Sequence, residues 1–198
     1  NRYLTNSAAD SLRCARYVAD SDRDAVRLSR QGDYPEGELL VTAATDEDGR
    51  LSYTFHDKGG QSVLIRRMNG SETLDTYYVY DACGLLRAVL PPKASAMLES
   101  QTGALDMSSA TVADLTYLYR YDRRGRPVGV RRPVAQEVRY LYDDTDRPVF
   151  SQDGVQRRSG EWSYSIPDAL GREVLRGTCK TLGGANLAQS LLDGKTLV

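Results

Sequence analysis

The sequence has few of the residues that build disulfide frameworks and metal sites. It contains three cysteines and one histidine among 198 residues. Cys14, Cys83 and Cys179 are scattered and odd in number, a pattern that does not predict a disulfide framework. A structural zinc site needs about four Cys or His ligands at short spacing. We therefore expect no disulfide framework, no bound metal and no cofactor.

Long apolar runs and a strong net charge are also missing. No run approaches the roughly 20 residues that span a bilayer, so we expect no transmembrane segment in this fragment. The net charge is −1, and such a chain carries no overall field that recruits nucleic acid or an anionic membrane. The sequence starts at Asn1 without methionine or a signal peptide, and we interpret it as a fragment of a longer protein.

Catalytic motifs are the third absence. The sequence has neither a Gly-x-Ser-x-Gly elbow nor a phosphate-binding loop. Cys83 and His56 form the only thiol–imidazole combination, and we interpret them as a turn residue and a strand residue. The segment 46–49 is similar to the start of a calcium loop, but Arg50 stands where an oxygen ligand is needed. We expect no enzymatic activity and assign no catalytic, cofactor-binding or metal-binding residue.

A repeated turn motif dominates what is present. An aspartate is followed three residues later by a residue that tolerates left-handed backbone geometry, and the leading aspartates are 24, 41, 21 and 25 residues apart. The long interval contains an insertion at 93–113. A fixed period of this length predicts a repeat architecture. The five pairs are Asp57 and Gly60, Asp81 and Gly84, Asp122 and Gly125, Asp143 and Asp146, and Asp168 and Gly171.

Each motif reads as the tip of a β-hairpin. Tyr119 and Tyr121 alternate at the strand period of two, and Asp122 can accept a hydrogen bond from the backbone two residues on. We predict positive φ at Gly84, Gly125 and Gly171, with Asp146 in the equivalent place.

Valines at one repeat position predict a buried row. Val63, Val128, Val149 and Val174 lie three residues past the glycine position, where Arg87 is the exception. In a regular sheet they share one face, and one face must be buried for stability. The predicted row is extended by Ile65, Val89 and Val130.

The pattern predicts an all-β fold, an open curved antiparallel sheet of consecutive hairpins. Residues 1–44 form N-terminal strands after a frayed segment 1–10, residues 45–180 form the repeat sheet, and residues 181–198 form a C-terminal helix or linker. Short helices are expected in the insertion, with Ser108 or Ser109 as a cap, and at 185–192. Unpaired edge strands predict an edge-strand dimer or crystal contact.

The motif Tyr-x-Tyr-Asp-x-x-Gly-Arg followed by alternating valines resembles the YD-repeat (Rhs, rearrangement hot spot) family. The resemblance covers about 45–180, and the segments 46–50, 75–81 and 90–92 look like the Bacteroidetes-type proteins. It implies a secreted or cell-surface bacterial scaffold, whose repeats form a continuous sheet that in many toxins encloses a C-terminal cargo. The implied partners are the rest of the parent chain and that cargo domain. The self-cleaving Asp-Pro-x-Gly motif of many members is absent, so no protease is assigned.

Three surface patterns leave alternatives open. The turn aspartates either cap their own turns or line a calcium ladder. The arginines between 120 and 132 either balance neighbouring acids or bind nucleic acid, and we expect no nucleic-acid partner. The tyrosine columns either pack as cross-strand pairs or stack sugar rings. The sequence therefore predicts a structural scaffold segment, with a carbohydrate-binding surface module using exposed tyrosines as the alternative.

Overall fold

The computed structural model describes residues 2–20, 22, 25–70, 72–105, 107, 110–180 and 192–197. The chain divides into two compact units, residues 1–118 and 119–198. Most of the predicted C-terminal helix, residues 185–191, lies outside the described residues, as do the two serines expected to cap the insertion helix.

A large antiparallel sheet of twelve strands is the main element of the fold, and it is not closed. Its hydrogen-bonded order is β1-β4-β5-β6-β7-β8-β10-β11-β12-β13-β14-β15, so most neighbours are consecutive hairpins. The prediction of an all-β open antiparallel sheet is confirmed. The strands are β1 (Arg2–Thr5), β4 (Leu40–Thr45), β5 (Leu51–His56), β6 (Ser62–Asn69), β7 (Glu72–Tyr80), β8 (Leu86–Leu90), β10 (Tyr117–Tyr121), β11 (Pro127–Arg131), β12 (Val138–Tyr142), β13 (Pro148–Gln152), β14 (Glu161–Pro167) and β15 (Glu173–Lys180).

A second, three-stranded sheet belongs to the first unit. It consists of β2 (Ala15–Ala19), β3 (Leu28–Asp33) and β9 (Gly103–Leu105), in the order β2-β3-β9. The insertion therefore supplies a strand, which the sequence analysis missed, besides helices α1 (Pro92–Leu98) and α2 (Ala110–Ala113). The expectation of a frayed start was wrong, because β1 pairs with β4.

The core of the first unit contains side chains of both sheets and of helix α1. Large residues of the big sheet are completely buried because the small sheet and the insertion cover one of its faces. The core includes Tyr17, Leu28, Phe55, Leu64, Tyr77, Val79, Leu90 and Leu98.

The second unit has a smaller core around the single tryptophan. Trp162 is 3% exposed and packs with Leu141 and Val149. Helix α3 (Gly154–Ser159), which the sequence analysis did not predict, connects β13 to β14. Asp153 and Gln156 form a capping box at its start, so the two side chains satisfy orphan backbone donors reciprocally.

The prediction of a single buried valine row was wrong, because only some of these valines are buried. Val63 and Val149 are buried, Val128 is half-buried, and Val174 is 62% exposed. A β-bulge also interrupts the regular alternation on which the predicted row depended. In four hairpins the strand register shifts by one residue, and the unpaired residue is the one at the valine position: Val63, Arg87, Val149 and Val174.

A bulge reverses the facing of every residue that follows it. Leu64 and Ala88, next after their bulges, are fully buried. Ile65, Val89 and Val130, which were expected to extend the row, are only half-buried. Pro148 sits beside the bulge opposite Tyr142, where its missing N–H costs no ladder hydrogen bond.

The difference in burial predicts different costs of truncation at equivalent positions. Val149→Ala should lower the free energy of unfolding by about 2 kcal/mol, since two buried methyl groups are lost and a cavity remains. Val174→Ala should change it by less than about 0.5 kcal/mol. Urea unfolding followed by Trp162 fluorescence measures both, and equal costs would contradict the difference in burial between the two positions.

Candidate functional site

The repeat turns share one hydrogen-bond pattern, which we call the turn motif. In each, one carboxylate oxygen of the leading aspartate accepts the backbone N–H groups of the residues two and four positions on. For Asp122 these are Arg124 at 2.9 Å and Arg126 at 3.0 Å. The prediction that each aspartate caps its own turn is confirmed at Asp57, Asp81, Asp122, Asp143 and Asp168, and Asp46 makes a sixth such turn.

The residue three positions past the leading aspartate has a left-handed backbone conformation in every repeat turn. Gly84, Gly125 and Gly171 have φ of 77°, 77° and 81°, which confirms the prediction. Asp146 has φ 62° and takes the glycine place. Its carboxylate accepts hydrogen bonds from Arg124 and Arg126, both at 2.8 Å, so this aspartate has a role that glycine cannot supply.

Gly125→Val should destabilise the second unit by about 1 kcal/mol or more, because a β-branched residue is strongly disfavoured at positive φ. Gly125 has φ 77°, in the left-handed region that L side chains rarely adopt. Gly125→Asn is the control and should cost less, since asparagine tolerates this region. Urea unfolding of both variants measures the difference, and equal costs would contradict a backbone origin.

The tyrosine before the aspartate joins its turn to the previous hairpin. The Tyr80 hydroxyl donates to the carbonyl of Ser62 at 3.2 Å, and the Tyr142 hydroxyl donates to the carbonyl of Pro127 at 2.8 Å. Ser62 and Pro127 both lie five residues past their own leading aspartates. The same bond therefore recurs in both units.

The residue four past the aspartate makes a second connection, to the following turn. Gln61 donates to the carbonyl of Gly84 at 3.0 Å. Arg126 donates to the carbonyl of Asp143 at 3.3 Å, and Arg147 donates to that of Asp168 at 3.1 Å. We call the turns joined in this way, together with the tyrosine bonds, the turn ladder. The Gln61 bond belongs to the first unit, and the two arginine bonds belong to the second.

Arginines at this position also pair with their own aspartate. The second carboxylate oxygen of Asp122 accepts from Arg126 Nε at 2.6 Å, and that of Asp143 accepts from Arg147 at 2.9 and 2.6 Å. Arg126 also lies over the ring of Tyr142, with its Cζ 4.7 Å from the centroid. One arginine thus connects the cap, the aromatic ring and the next turn.

These contacts lower the pKa of the turn carboxylates. Burial by itself raises the pKa of Asp122 and Asp143, but hydrogen bonds from the backbone and guanidinium of Arg126 and Arg147 outweigh it and bring each pKa below its usual value. At Asp168 the backbone N–H and the guanidinium of Arg172 lower the pKa.

Because these folded-state pKa values are depressed, their contribution to stability is present above the unfolded pKa of about 3.9 and is lost as the pH falls through the folded values. We expect the urea midpoint of the second unit, read from Trp162 fluorescence, to be flat from about pH 7 to 5 and to fall below about pH 4. Asp122→Asn should make this fall shallower. A midpoint that stays constant or rises down to about pH 3 would contradict the account.

The first unit contains two buried arginines. Arg87, at the bulge, is 2% exposed, lies 3.4 Å from Asp81 and donates to the carbonyls of Asp22 and Ala25. Arg66 is 6% exposed and pairs with Asp75. Sequence reasoning missed both, although Arg87 was visible as an exception in the valine position.

The other predicted candidates occupy ordinary places. His56 Nδ1 lies 3.2 Å from the hydroxyl of Ser62, and Cys83 is exposed in a turn, where its N–H donates to Asp81. The structure therefore gives both residues the turn and strand roles predicted for them. Within the part of the chain that the structure describes, no group of three or more His, Cys, Asp or Glu side chains is placed to hold a metal ion.

The basic segment is engaged by acidic neighbours. Arg120 pairs with Glu137 at 2.6 Å, and Arg124 pairs with Asp146 at 2.8 Å. Two arginines, Arg120 and Arg139, pair with Glu137. Burial raises the pKa of Glu137, but the hydrogen bonds and charge of Arg120, with a further bond from Arg139, bring this pKa below its usual value. The arrangement matches the prediction of arginines balanced by neighbouring acids.

The tyrosines of the columns are neither fully packed nor fully exposed, so their burial fits neither predicted alternative completely. Tyr78, Tyr119, Tyr121 and Tyr140 are half-buried, whereas Tyr142 is buried. Their rings therefore present part of their surface to solvent while the strand backbone holds them in place.

Among known proteins, the chain is similar to several solved structures. No protein-family model and no curated protein matches the chain. Its structure is similar to those of the TcdB2–TccC3–Cdc42 and TcdB2–TccC3 complexes, each with TM-score 0.48 and 12% identity. A Tc holotoxin pore of Photorhabdus luminescens carrying a mutation in TccC3 has TM-score 0.47 and 12% identity. Each match covers 87% of this chain and 12% of the other, so the chain spans about an eighth of those proteins.

Among the described residues, no helix is both long enough and apolar enough to cross a membrane.

Proposed function

We propose that this chain is a non-enzymatic structural segment of a large secreted or cell-surface bacterial protein of the YD-repeat type. In this proposal the sheet helps to enclose or display a C-terminal effector domain of the parent chain. The observation that carries it is the turn ladder. Its polar side chains, the tyrosines, aspartates and arginines of the repeat, are used to join one turn to the next.

This use of side chains favours a structural role. The Asp143 carboxylate accepts from the backbone of Thr145 and Arg147 and from the Arg147 guanidinium. A carboxylate engaged in this way has its acceptor sites occupied, and its lowered pKa keeps it charged at neutral pH. General acid–base catalysis instead requires a pKa near the working pH. The polar side chains of the repeat therefore order the backbone and are not suited to act as general acids or bases.

The last strand presents a surface suited to a further repeat. Within the described residues β15 pairs only with β14, and it exposes Val174 and Leu175, which are 62% and 52% exposed. Arg126 and Arg147 each reach the following turn, but the side chain of Arg172 is 75% exposed and its described partner is its own Asp168. Arg172 could therefore bond to the turn of a further repeat at this edge, as Arg126 and Arg147 bond to the turns that follow them.

Association through β15 tests the proposal. Sedimentation velocity over a concentration series should show self-association, with slower hydrogen exchange confined to 173–180, because an unpaired edge accepts another strand. Val174→Lys combined with Leu175→Lys should abolish it. Val134→Lys, at an 82% exposed turn residue, is the matched control and should leave it unchanged. A monomer at high concentration with rapidly exchanging β15 amides would count against the proposal.

A carbohydrate-binding surface is the alternative function, and the half-buried tyrosines favour it. On a glycan array, a scaffold gives no signal above background. A binder that uses this surface gives a signal that disappears when Tyr119 and Tyr121 are both changed to alanine. Tyr3→Ala, at a residue 73% exposed in β1, is the control for loss of an exposed tyrosine alone.

A further inference from the structure

A polar cavity of about 230 Å³ lies within the first unit, apart from the turn ladder. It is bounded by strands β2 and β3 of the small sheet, strands β6 and β7 of the large sheet, and helix α1. None of the leading turn aspartates and none of the tyrosines of the columns lines it. The scaffold role therefore gives this cavity no function.

Two buried tyrosines form an aromatic wall of the cavity. Tyr17 and Tyr77 are each 7% exposed, and their rings meet edge to face with centroids 4.9 Å apart. The Tyr77 hydroxyl accepts the N–H of Ala15 at 3.4 Å. Burial raises the pKa of both phenols, so at neutral pH each is an uncharged group able to donate and to accept.

Six of the seven charged side chains of the lining, all except Asp10, are paired with one another. Arg66 gives Nε and Nη2 to Asp75 at 2.8 and 2.6 Å, and Nη1 to the carbonyls of Asp10 and Arg13. Arg30 lies 3.1 Å from Asp33, and Arg13 lies 3.4 Å from Glu99. A free anion or cation entering the cavity would meet charges that are balanced by their partners, and gains little from them.

A neutral molecule with several hydroxyl groups fits these properties best. An apolar ligand would leave the charged lining without solvent, which is costly. A hydroxyl donates once and accepts through two lone pairs, so it can bond to carboxylate, guanidinium and phenol alike, and bonds to charged groups are the stronger ones. The volume is below the roughly 300–1,000 Å³ of drug-sized pockets, which limits the ligand to about one sugar ring. The tyrosine wall supplies an apolar surface for the C–H face of such a ring.

We propose that this cavity binds one neutral sugar residue, with Tyr17, Asp33 and Asp75 among its polar contacts and the two tyrosine rings as its apolar wall.

Ligand-observed NMR titration of the whole chain tests the proposal. The probes are glucose, galactose, mannose and N-acetylglucosamine, with glucuronate and glucosamine as charged counterparts. We expect saturable binding of at least one neutral sugar, with Kd on the order of 1 mM, and weaker binding of both charged sugars. Tyr17→Phe keeps the ring and removes the hydroxyl, and it should weaken binding about tenfold. Asp33→Asn should weaken it as well.

Controls separate this cavity from other surfaces. Tyr34→Phe changes a half-buried tyrosine of the same unit outside the lining and should leave the affinity unchanged, as should the double alanine variant at Tyr119 and Tyr121. An unchanged melting temperature in Tyr17→Phe shows that the fold is retained. Three results would overturn the proposal: no saturable binding of any neutral sugar, tighter binding of glucuronate, or affinity unaffected by both Tyr17→Phe and Asp33→Asn.

Discussion

Asp75→Ala should lower the free energy of unfolding of the first unit by about 3–5 kcal/mol. The side chains of Arg66 and Asp75 are 8% and 14% exposed, and the two groups form a bidentate pair with N–O distances of 2.8 and 2.6 Å. Removing the carboxylate leaves a guanidinium buried against the ring of Phe55 with only backbone carbonyls as partners. An unpaired buried charge is among the most destabilising changes in a protein.

Two further variants identify burial as the cause. Replacing both partners, Arg66→Met with Asp75→Leu, should recover much of the loss, because no charge is then left alone. Asp48→Ala breaks the pair with Arg50, whose side chains are 68% and 70% exposed, and should cost less than about 1 kcal/mol. Hydrogen exchange of the β6 and β7 amides measures all three. A loss at Asp75 no larger than that at Asp48 would show that burial does not make this pair more important to stability than an exposed one.

Asp143→Ala should destabilise the second unit by about 3 kcal/mol. The Asp143 side chain is completely buried, caps its turn through two backbone N–H groups, accepts the Thr145 hydroxyl and pairs with Arg147. Alanine removes all of these acceptors at once and leaves a partly buried guanidinium without its carboxylate. Urea unfolding followed by Trp162 fluorescence measures the loss.

The matched control is Asp168→Ala in the next turn, which has the same motif. Its arginine, Arg172, is 75% exposed, so water replaces the lost bonds and the destabilisation should be smaller. Asp143→Asn retains the shape and one acceptor oxygen, and it should fall between wild type and Asp143→Ala. If Asp143→Ala and Asp168→Ala cost the same, the joining of turns contributes nothing beyond the local cap.

The turns were predictable from sequence because their chemistry is local. Asp122 and Gly125 specify one turn within a few residues, through a short hydrogen bond and a backbone region open to glycine. The bulge was not predictable, because no residue type marks it: the unpaired position holds a buried Arg87, a buried Val149 and an exposed Val174. The period of two that predicts strand facing fails wherever one extra residue is inserted.

Contacts distant in sequence were the second limit. Nothing near Arg66 in the sequence shows that carbonyls more than 50 residues away complete its hydrogen bonds. Strand β9 was missed because it has only three residues and pairs with β3, far back in the chain. The cavity likewise brings together residues from distant parts of the chain, such as Tyr17, Arg66 and Ser95, so they carried no signal in a pattern organised around the repeat.

The central claim is that side chains of one turn stabilise the next, and a double-mutant cycle tests it most directly. Arg126 Nη1 lies 2.8 Å from Asp146 Oδ1, so the two residues join separate turns. The cycle compares Arg126→Gln, Asp146→Asn and the double variant by urea unfolding followed by Trp162 fluorescence. We expect a coupling free energy of about 0.5–1 kcal/mol between the two residues. Arg172→Gln with Asp146→Asn is the control and should be additive within about 0.3 kcal/mol. Additivity in the Arg126 cycle as well would show that each turn is stable on its own, which contradicts the ladder.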